Sequence, residues 1–182
     1  MFFKIIFRAF NILKLEKNTY KEISKDKYSI FGSGFIMICA GLVNVYLFKI
    51  FIFPTLPNEV PLTAIFLIWI FFNWYVFSNI MLVIVKLIGG TQNLNDKKIA
   101  LSLVGFSNTA EILKILVIFL PNLIVIISWS ILMLVIASQV VGIKQVYKLE
   151  KISTAVGVVI ISYITQFLVI GLFVFILIKL AY

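Results

Sequence analysis

Residues 89–151 read GGTQNLNDKKIALSLVGFSNTAEILKILVIFLPNLIVIISWSILMLVIASQVVGIKQVYKLEK. A glycine pair opens a polar, basic loop, and a helical run carrying the acid–base pair Glu111 and Lys114 follows. A Pro121-Asn122 turn leads into a cleaner apolar run around Trp129, and a basic segment with Lys144, Lys148 and Lys151 closes the stretch. Both ends are cationic and the turn between them carries no charge. That is the pattern of a helical hairpin dipped into a bilayer from one side, with the rest of the chain forming a bundle around it.

Composition agrees. Hydrophobic residues make up 63% of 182 and charged residues 13%, with a mean hydropathy of +1.15. Soluble domains run nearer half apolar and a quarter charged, so lipid is the expected solvent. The net charge of +9 would suggest nucleic acid in a soluble chain. Here the cations flank apolar runs, so they set topology and no nucleic-acid partner is expected.

The lone Cys39 lies in an apolar run, which excludes an internal disulfide, and there is no histidine. Imidazole bases and His-ligated metals are thereby excluded. Seven carboxylates remain, and only Glu111 has apolar surroundings. The chain reads as non-enzymatic, with no catalytic residue, metal site or cofactor.

Outward from the hairpin, the expected fold is an all-α polytopic bundle. Residues 1–28 form a basic amphipathic cytoplasmic segment, and residues 29–182 a five-span membrane domain. The spans fall at about 31–53, 62–88, 99–120, 122–142 and 153–179, each near the ~20 apolar residues a bilayer needs. At the N-terminus, Lys4, Arg8 and Asn11 share one helical face, while Phe3, Ile6, Phe7, Phe10 and Leu13 fill another. The two cations interrupt the run too early for a span, and no signal-peptide cleavage site follows, so a helix lying in the headgroup layer is expected. Glu16 to Lys27 reads as a polar connector.

Gly32, Gly34, Ala40, Gly41, Gly157 and Gly171 offer small surfaces for neighbouring helices. Trp69, Trp74 and Tyr75 are read as packing and depth-setting aromatics. Pro54, Pro57 and Pro61 stiffen the loop after the first span, whose only charge is Glu59. Gly89 and Gly90 end the second span, Asn95 or Asp96 caps the third, and Lys179 with Tyr182 anchors the far end of the last.

Orientation follows from counting cations. With five spans and a cytoplasmic N-terminus, thirteen lie inside and two, Lys49 and Lys179, outside, with Lys114 in a span. Merging Thr109 to Val141 into one helix kinked at Pro121 weakens the count to eleven against four. Five spans with the C-terminus outside is therefore expected, in a membrane of bacterial inner or plasma type.

The third span admits two readings. As a continuous helix it carries Glu111 and Lys114 as an intramembrane pair, a functional hypothesis by default. Alternatively, Gly105-Phe106-Ser107 breaks it, Asn108-x-x-Glu111 forms a capping box, and Lys98 to Phe106 lies partly along the interface. The twelve residues from Thr109 to Leu120 rise only ~18 Å, so a bent helix with structural use of the pair is expected. Asn44, Asn73 and Glu111 fall roughly 13–17 Å from their helix ends, with Gln166 slightly deeper. With Lys114 they form a candidate intramembrane polar layer, serving as interhelical glue or as a small cavity for an ion or solute.

From Gly89 onward the chain resembles the Yip-one domain family, five-span proteins named for binding Ypt/Rab GTPases. The resemblance rests on Gly89-Gly90, the basic entry into ALSLVGFSNTAEIL, Pro121, Trp129, the VVGIKQVYKL exit and Ala155 in the last helix. It covers about the last two-thirds of the chain. Ala110-Glu111 stands where a proline is usual and Asn122 where a glycine is. The acidic N-terminal domain of the trafficking members is missing, so GTPase binding and vesicle function are not carried over. A short member of bacterial kind is implied, without an assigned reaction.

Two functional readings follow. The first is a membrane-organising protein that binds anionic lipid headgroups or membrane and cytoplasmic protein partners. Its face would be Lys4, Arg8, Lys97, Lys98, Lys144, Lys148 and Lys151, each cation contributing ~1 kcal/mol near an anionic leaflet; a homo-oligomer is compatible with it. The second is a small transporter or channel built on the polar layer.

Overall fold

The structure, a computed structural model, describes residues 2–51, 60–90 and 96–181. Phe53, Pro54, Pro57, Glu59, Asn95 and Tyr182 lie outside the described residues. The described residues form helices and turns in the order α1 (Phe2–Leu13), α2 (Lys17–Lys25), α3 (Ser29–Phe51), α4 (Val60–Leu87), α5 (Asp96–Ser107), a 3-10 segment (Asn108–Ile118), a short 3-10 turn (Pro121–Leu123), α6 (Ile124–Val146) and α7 (Ile152–Ala181). Pro61 sits in the first turn of α4, where its missing N–H costs nothing, and so opens that helix.

Five segments are long and apolar enough to cross a membrane: Ser29–Phe51, Thr63–Leu87, Asp96–Ile118, Pro121–Val146 and Ile152–Ile176. The chain has the make-up of a multi-pass membrane protein. Large apolar side chains cover its outer surface, Phe167 and Phe119 among the most exposed, where lipid and not water is the solvent. Pro121 does separate two helices. Leu120 leaves the helical region (φ −133°, ψ 59°), and α6 returns to pack against the 3-10 segment.

The third segment is the axis of the bundle. Ten of the twelve residues of α5 are buried, and α1, α2, α3, α4 and α6 all touch it. Lys98 to Phe106 therefore does not run along an interface, and Gly105 does not break the helix. Gly105 lies against α3, where an added Cβ would stand 2.5 Å from Ser33 Cβ. Around that crossing Ser29 Oγ and Ser102 Oγ share a 2.8 Å hydrogen bond, so small residues let the two backbones meet. Of the glycines expected to do this, Gly32 and Gly41 do face neighbours, but nothing lies within 4 Å of a Cβ at Gly34, Gly157 or Gly171. Ala155, fully buried, packs α7 instead.

The main chain stays helical through Ser107 (φ −61°, ψ −28°), with no side-chain cap, so the capping box does not form. The helix tightens instead. Asn108 Nδ2 donates to Val104 O at 2.8 Å, and Thr109 Oγ1 to Phe106 O at 2.6 Å. These side chains occupy carbonyls that α-helical N–H groups would use, and eleven residues of 3-10 follow. Such runs rarely exceed four residues. At ~2.0 Å per residue the segment rises ~22 Å, and with ~18 Å from α5 the whole reaches ~40 Å. The geometric shortfall that suggested a bent helix is thus met by winding.

The stretch read as a connector holds a helix. Tyr20 and Ile23 on α2 are almost fully buried, joining Ile12, Ile36 and Phe106 in one cluster. Two helices end on side chains in the left-handed region, Leu15 (φ 57°) and Lys148 (φ 53°), and Gly89 (φ 80°) takes the same conformation where it suits glycine.

Candidate functional site

Each span contributes to one polar cavity of about 290 Å³. α3 brings Asn44, α4 brings Asn73 with Trp69 and Trp74, and the 3-10 segment brings Asn108 and Glu111. Gln139 of α6 and Tyr163 with Gln166 of α7 close it.

The residues of the expected polar layer come together as two groups, and all of them except Lys114 line the cavity. In the first, Asn44 Nδ2 donates to Glu111 Oε2 at 3.1 Å and to the Ala40 carbonyl at 2.9 Å. Lys114 Nζ donates to Asn44 Oδ1 at 3.1 Å and pairs closely with Glu111 Oε2. In the second, Gln166 Nε2 donates to Asn73 Oδ1 at 3.1 Å, while Asn73 Nδ2 donates to Trp69 O at 2.8 Å.

Two lining residues escaped the sequence reading. Gln139 is 1% exposed, hydrogen-bonds Tyr163, and has an Oε1 with no partner among the described residues. Asn108, expected as a cap, lines the cavity instead. The available signal was Gln139 itself, an amide inside an apolar span. Trp74 donates to the Leu101 carbonyl at 2.9 Å, an interhelical bond that fixes α4 against α5.

The expected cationic face is more divided. Arg8 belongs to the protein interior: it is 5% exposed, and its guanidinium donates to Asp26 Oδ2 at 2.6 Å. Exposed Lys4 reaches the same oxygen at 2.9 Å. The Tyr28 backbone N–H, then Lys4 and Arg8, hold the Asp26 carboxyl well below the usual carboxylate range, against the opposing effect of burial. Lys97 donates to Tyr75 Oη at 2.7 Å and stands 4.8 Å from that ring. Lys148 and Lys151 are exposed; Lys98 and Lys144 are half-buried.

The inward turn of Arg8 inverts α1. Ile5, Arg8, Ala9 and Ile12 lie on the bundle side, and Phe2, Phe3, Ile6, Phe7 and Phe10 are left exposed, Phe3 at 86%. Lys14 Nζ sits 4.3 Å from the Phe10 ring at the edge of that surface.

The family model of the Yip1 domain matches residues 10–178, nearly the whole chain. The chain belongs to the Yip1 domain family. No curated protein and no solved structure matches it significantly. Membership accords with an all-helical bundle of five membrane-crossing segments; it assigns no ligand to the Yip1 cavity and no role to α1.

Proposed function

We propose that this Yip1 domain protein is a non-enzymatic membrane organiser, anchored by α1 in the cytoplasmic leaflet and gathering anionic lipids beside it. The observation that carries this reading is the exposed aromatic face of α1 on a helix otherwise fixed to the bundle. A helix of this kind lies ~5–10 Å into the boundary between headgroups and acyl chains. Lys14, Lys148 and Lys151 supply cations at that level when the N-terminus is cytoplasmic, the orientation favoured by the charge count.

Lipid analysis tests it. Protein extracted with its surrounding bilayer in polymer discs should carry more anionic lipid than the bulk membrane. Phe3→Ser with Phe7→Ser should remove the enrichment while leaving the bundle folded. Equal lipid profiles for the two proteins would exclude the role.

The cavity favours a second reading, a small transporter or channel. Asn73→Leu and Glu111→Gln proteins that fold normally but lose an ion flux in proteoliposomes would establish it. Unchanged or absent flux in all three proteins leaves the first reading in place.

A further inference from the structure

The cavity has a buried acceptor with no partner among the described residues, Gln139 Oε1. Asn44, Asn73 and Asn108 each donate one amide N–H to a backbone carbonyl of their own helix, and Gln166 donates to Asn73. Glu111 engages Asn44 and Lys114 through Oε2. Four oxygens are left over: Asn108 Oδ1, Glu111 Oε1, Gln139 Oε1 and Gln166 Oε1. No hydrogen bond among the described residues uses them, and Gln139 Oε1 is fully buried. Interhelical glue accounts for the Asn44–Glu111 and Asn73–Gln166 pairs, but not for the unpaired Gln139 Oε1 in a cavity that the Asn108, Glu111 and Gln166 side chains also line. An unpaired buried acceptor costs about 1–3 kcal/mol, so a ligand that satisfies Gln139 Oε1 and is shared with the accessible oxygens beside it is favoured.

We propose that the cavity holds a partly hydrated monovalent cation, coordinated by the side-chain oxygens of Asn108, Glu111, Gln139 and Gln166, with Lys114 as its built-in competitor for Glu111.

Oxygen-only ligands of this kind suit hard cations. One carboxylate, already shared with an ammonium group, is too little charge for a divalent ion, and no cluster of three His, Cys, Asp or Glu exists among the described residues. A volume of about 290 Å³ leaves room for water beside an alkali ion. Lys114 is the tethered alternative: its Nζ sits on Glu111 Oε2 and Asn44 Oδ1, so an entering cation and the ammonium group draw on the same carboxylate. Occupancy is all that this requires. It does not depend on passage across the membrane, nor on the lipid reading of α1.

Purified full-length protein in lipid nanodiscs, equilibrated in N-methylglucamine chloride, should be titrated with sodium or potassium chloride at constant ionic strength. Tryptophan fluorescence reports directly, because Trp69 and Trp74 line the cavity; melting temperature is the second readout. The expected result is a saturable response to the alkali ion. Glu111→Gln should weaken it about tenfold or more, and Lys114→Met should strengthen it by a similar factor, because an unpaired buried carboxylate recruits another cation. Gln139→Met, which keeps the volume and removes one oxygen, should also weaken it and replaces Glu111→Gln if that protein does not fold. Wild-type curves that do not distinguish alkali ions from N-methylglucamine overturn the proposal. So does a response of equal midpoint in wild type, Gln139→Met and Lys114→Met, which would mark a water-filled space only.

Discussion

Tyr20 Oη and Ser138 Oγ lie 2.9 Å apart in a buried hydrogen bond that joins residues 118 positions apart. The contact ties α2, a helix too short and too charged to enter a membrane, to the middle of a spanning helix. Gly142, one turn along α6, makes room for the Tyr20 ring: a Cβ there would meet Tyr20 Cδ1 at 2.9 Å. The two N-terminal helices are thereby part of the bundle, and α1 is held where its aromatic face is presented.

Tyr20→Phe should destabilise the protein by about 1–2 kcal/mol, since it strands the Ser138 hydroxyl without changing the ring. Ser138→Ala should cost a similar amount, and the double variant clearly less than their sum. Thermal unfolding of the three proteins in one detergent measures this. Additive losses would mean that the two groups do not act together.

Burial pushes the Tyr20 phenol up to about 12, and the hydrogen bond from Ser138 only partly opposes it. The sign follows from which state holds the proton. Below pH ~10 the phenol is protonated in folded and unfolded chains, and pH has no effect through this group. Between ~10 and ~12 the unfolded chain ionises while the folded one does not, so stability falls as pH rises. The loss specific to Tyr20 is roughly 2–3 kcal/mol. It is read as the difference between wild type and Tyr20→Phe from pH 9 to 12, which cancels the other tyrosines and the lysines.

Five apolar runs, the Pro121 turn and the amphipathic N-terminus were legible because each follows from residue type alone: long apolar stretches, a missing N–H, a 3.6-residue stripe. Three features were not. The winding of Asn108–Ile118 leaves no mark on an apolar pattern, since α and 3-10 helices bury the same residue types. The inward turn of Arg8 depends on Asp26, eighteen positions away, and only the tertiary fold brings the two together. Gly105 was misread because glycine marks a break and a close crossing equally well, and only the neighbour, Ser33, decides which. For the polar layer, depth along each helix placed Asn44, Asn73 and Glu111 at one level with Gln166 slightly deeper. Depth carries no rotation, so the split into two groups and the part of Gln139 stayed hidden.

Gly105→Ala should cost about 1–3 kcal/mol, because its Cβ would fall 2.5 Å from Ser33 Cβ and 3.2 Å from Ser33 Cα, which a rotamer change cannot relieve. Gly157→Ala meets open space in the second turn of α7 and should instead stabilise by about 0.5–1 kcal/mol through helix propensity. Unfolding midpoints of the two variants against wild type should move in opposite directions. A tolerated Gly105→Ala would show that α3 and α5 do not cross this closely.

The clasp at Asp26 sets a graded expectation for α1. Asp26→Ala leaves the Arg8 guanidinium, whose side chain is 6% exposed, without its anion, and should cost about 3 kcal/mol or more. Lys4→Ala removes an exposed partner, 59% accessible, and should cost under ~1 kcal/mol. Because the Asp26 carboxyl titrates well below the usual range, its contribution is complete above pH ~4 and is lost only as pH falls through the depressed value. The clasp is therefore insensitive to pH between 5 and 8, and Asp26→Asn at neutral pH reproduces what strong acid does to wild type. A fluorophore at position 10, on a Cys39→Ala background, reports the outcome as proteolytic release of the N-terminal helix. Release should be rapid for Asp26→Ala and Asp26→Asn and near wild type for Lys4→Ala. Equal release from all three variants would mean that α1 is held by Ile5 and Ile12 alone.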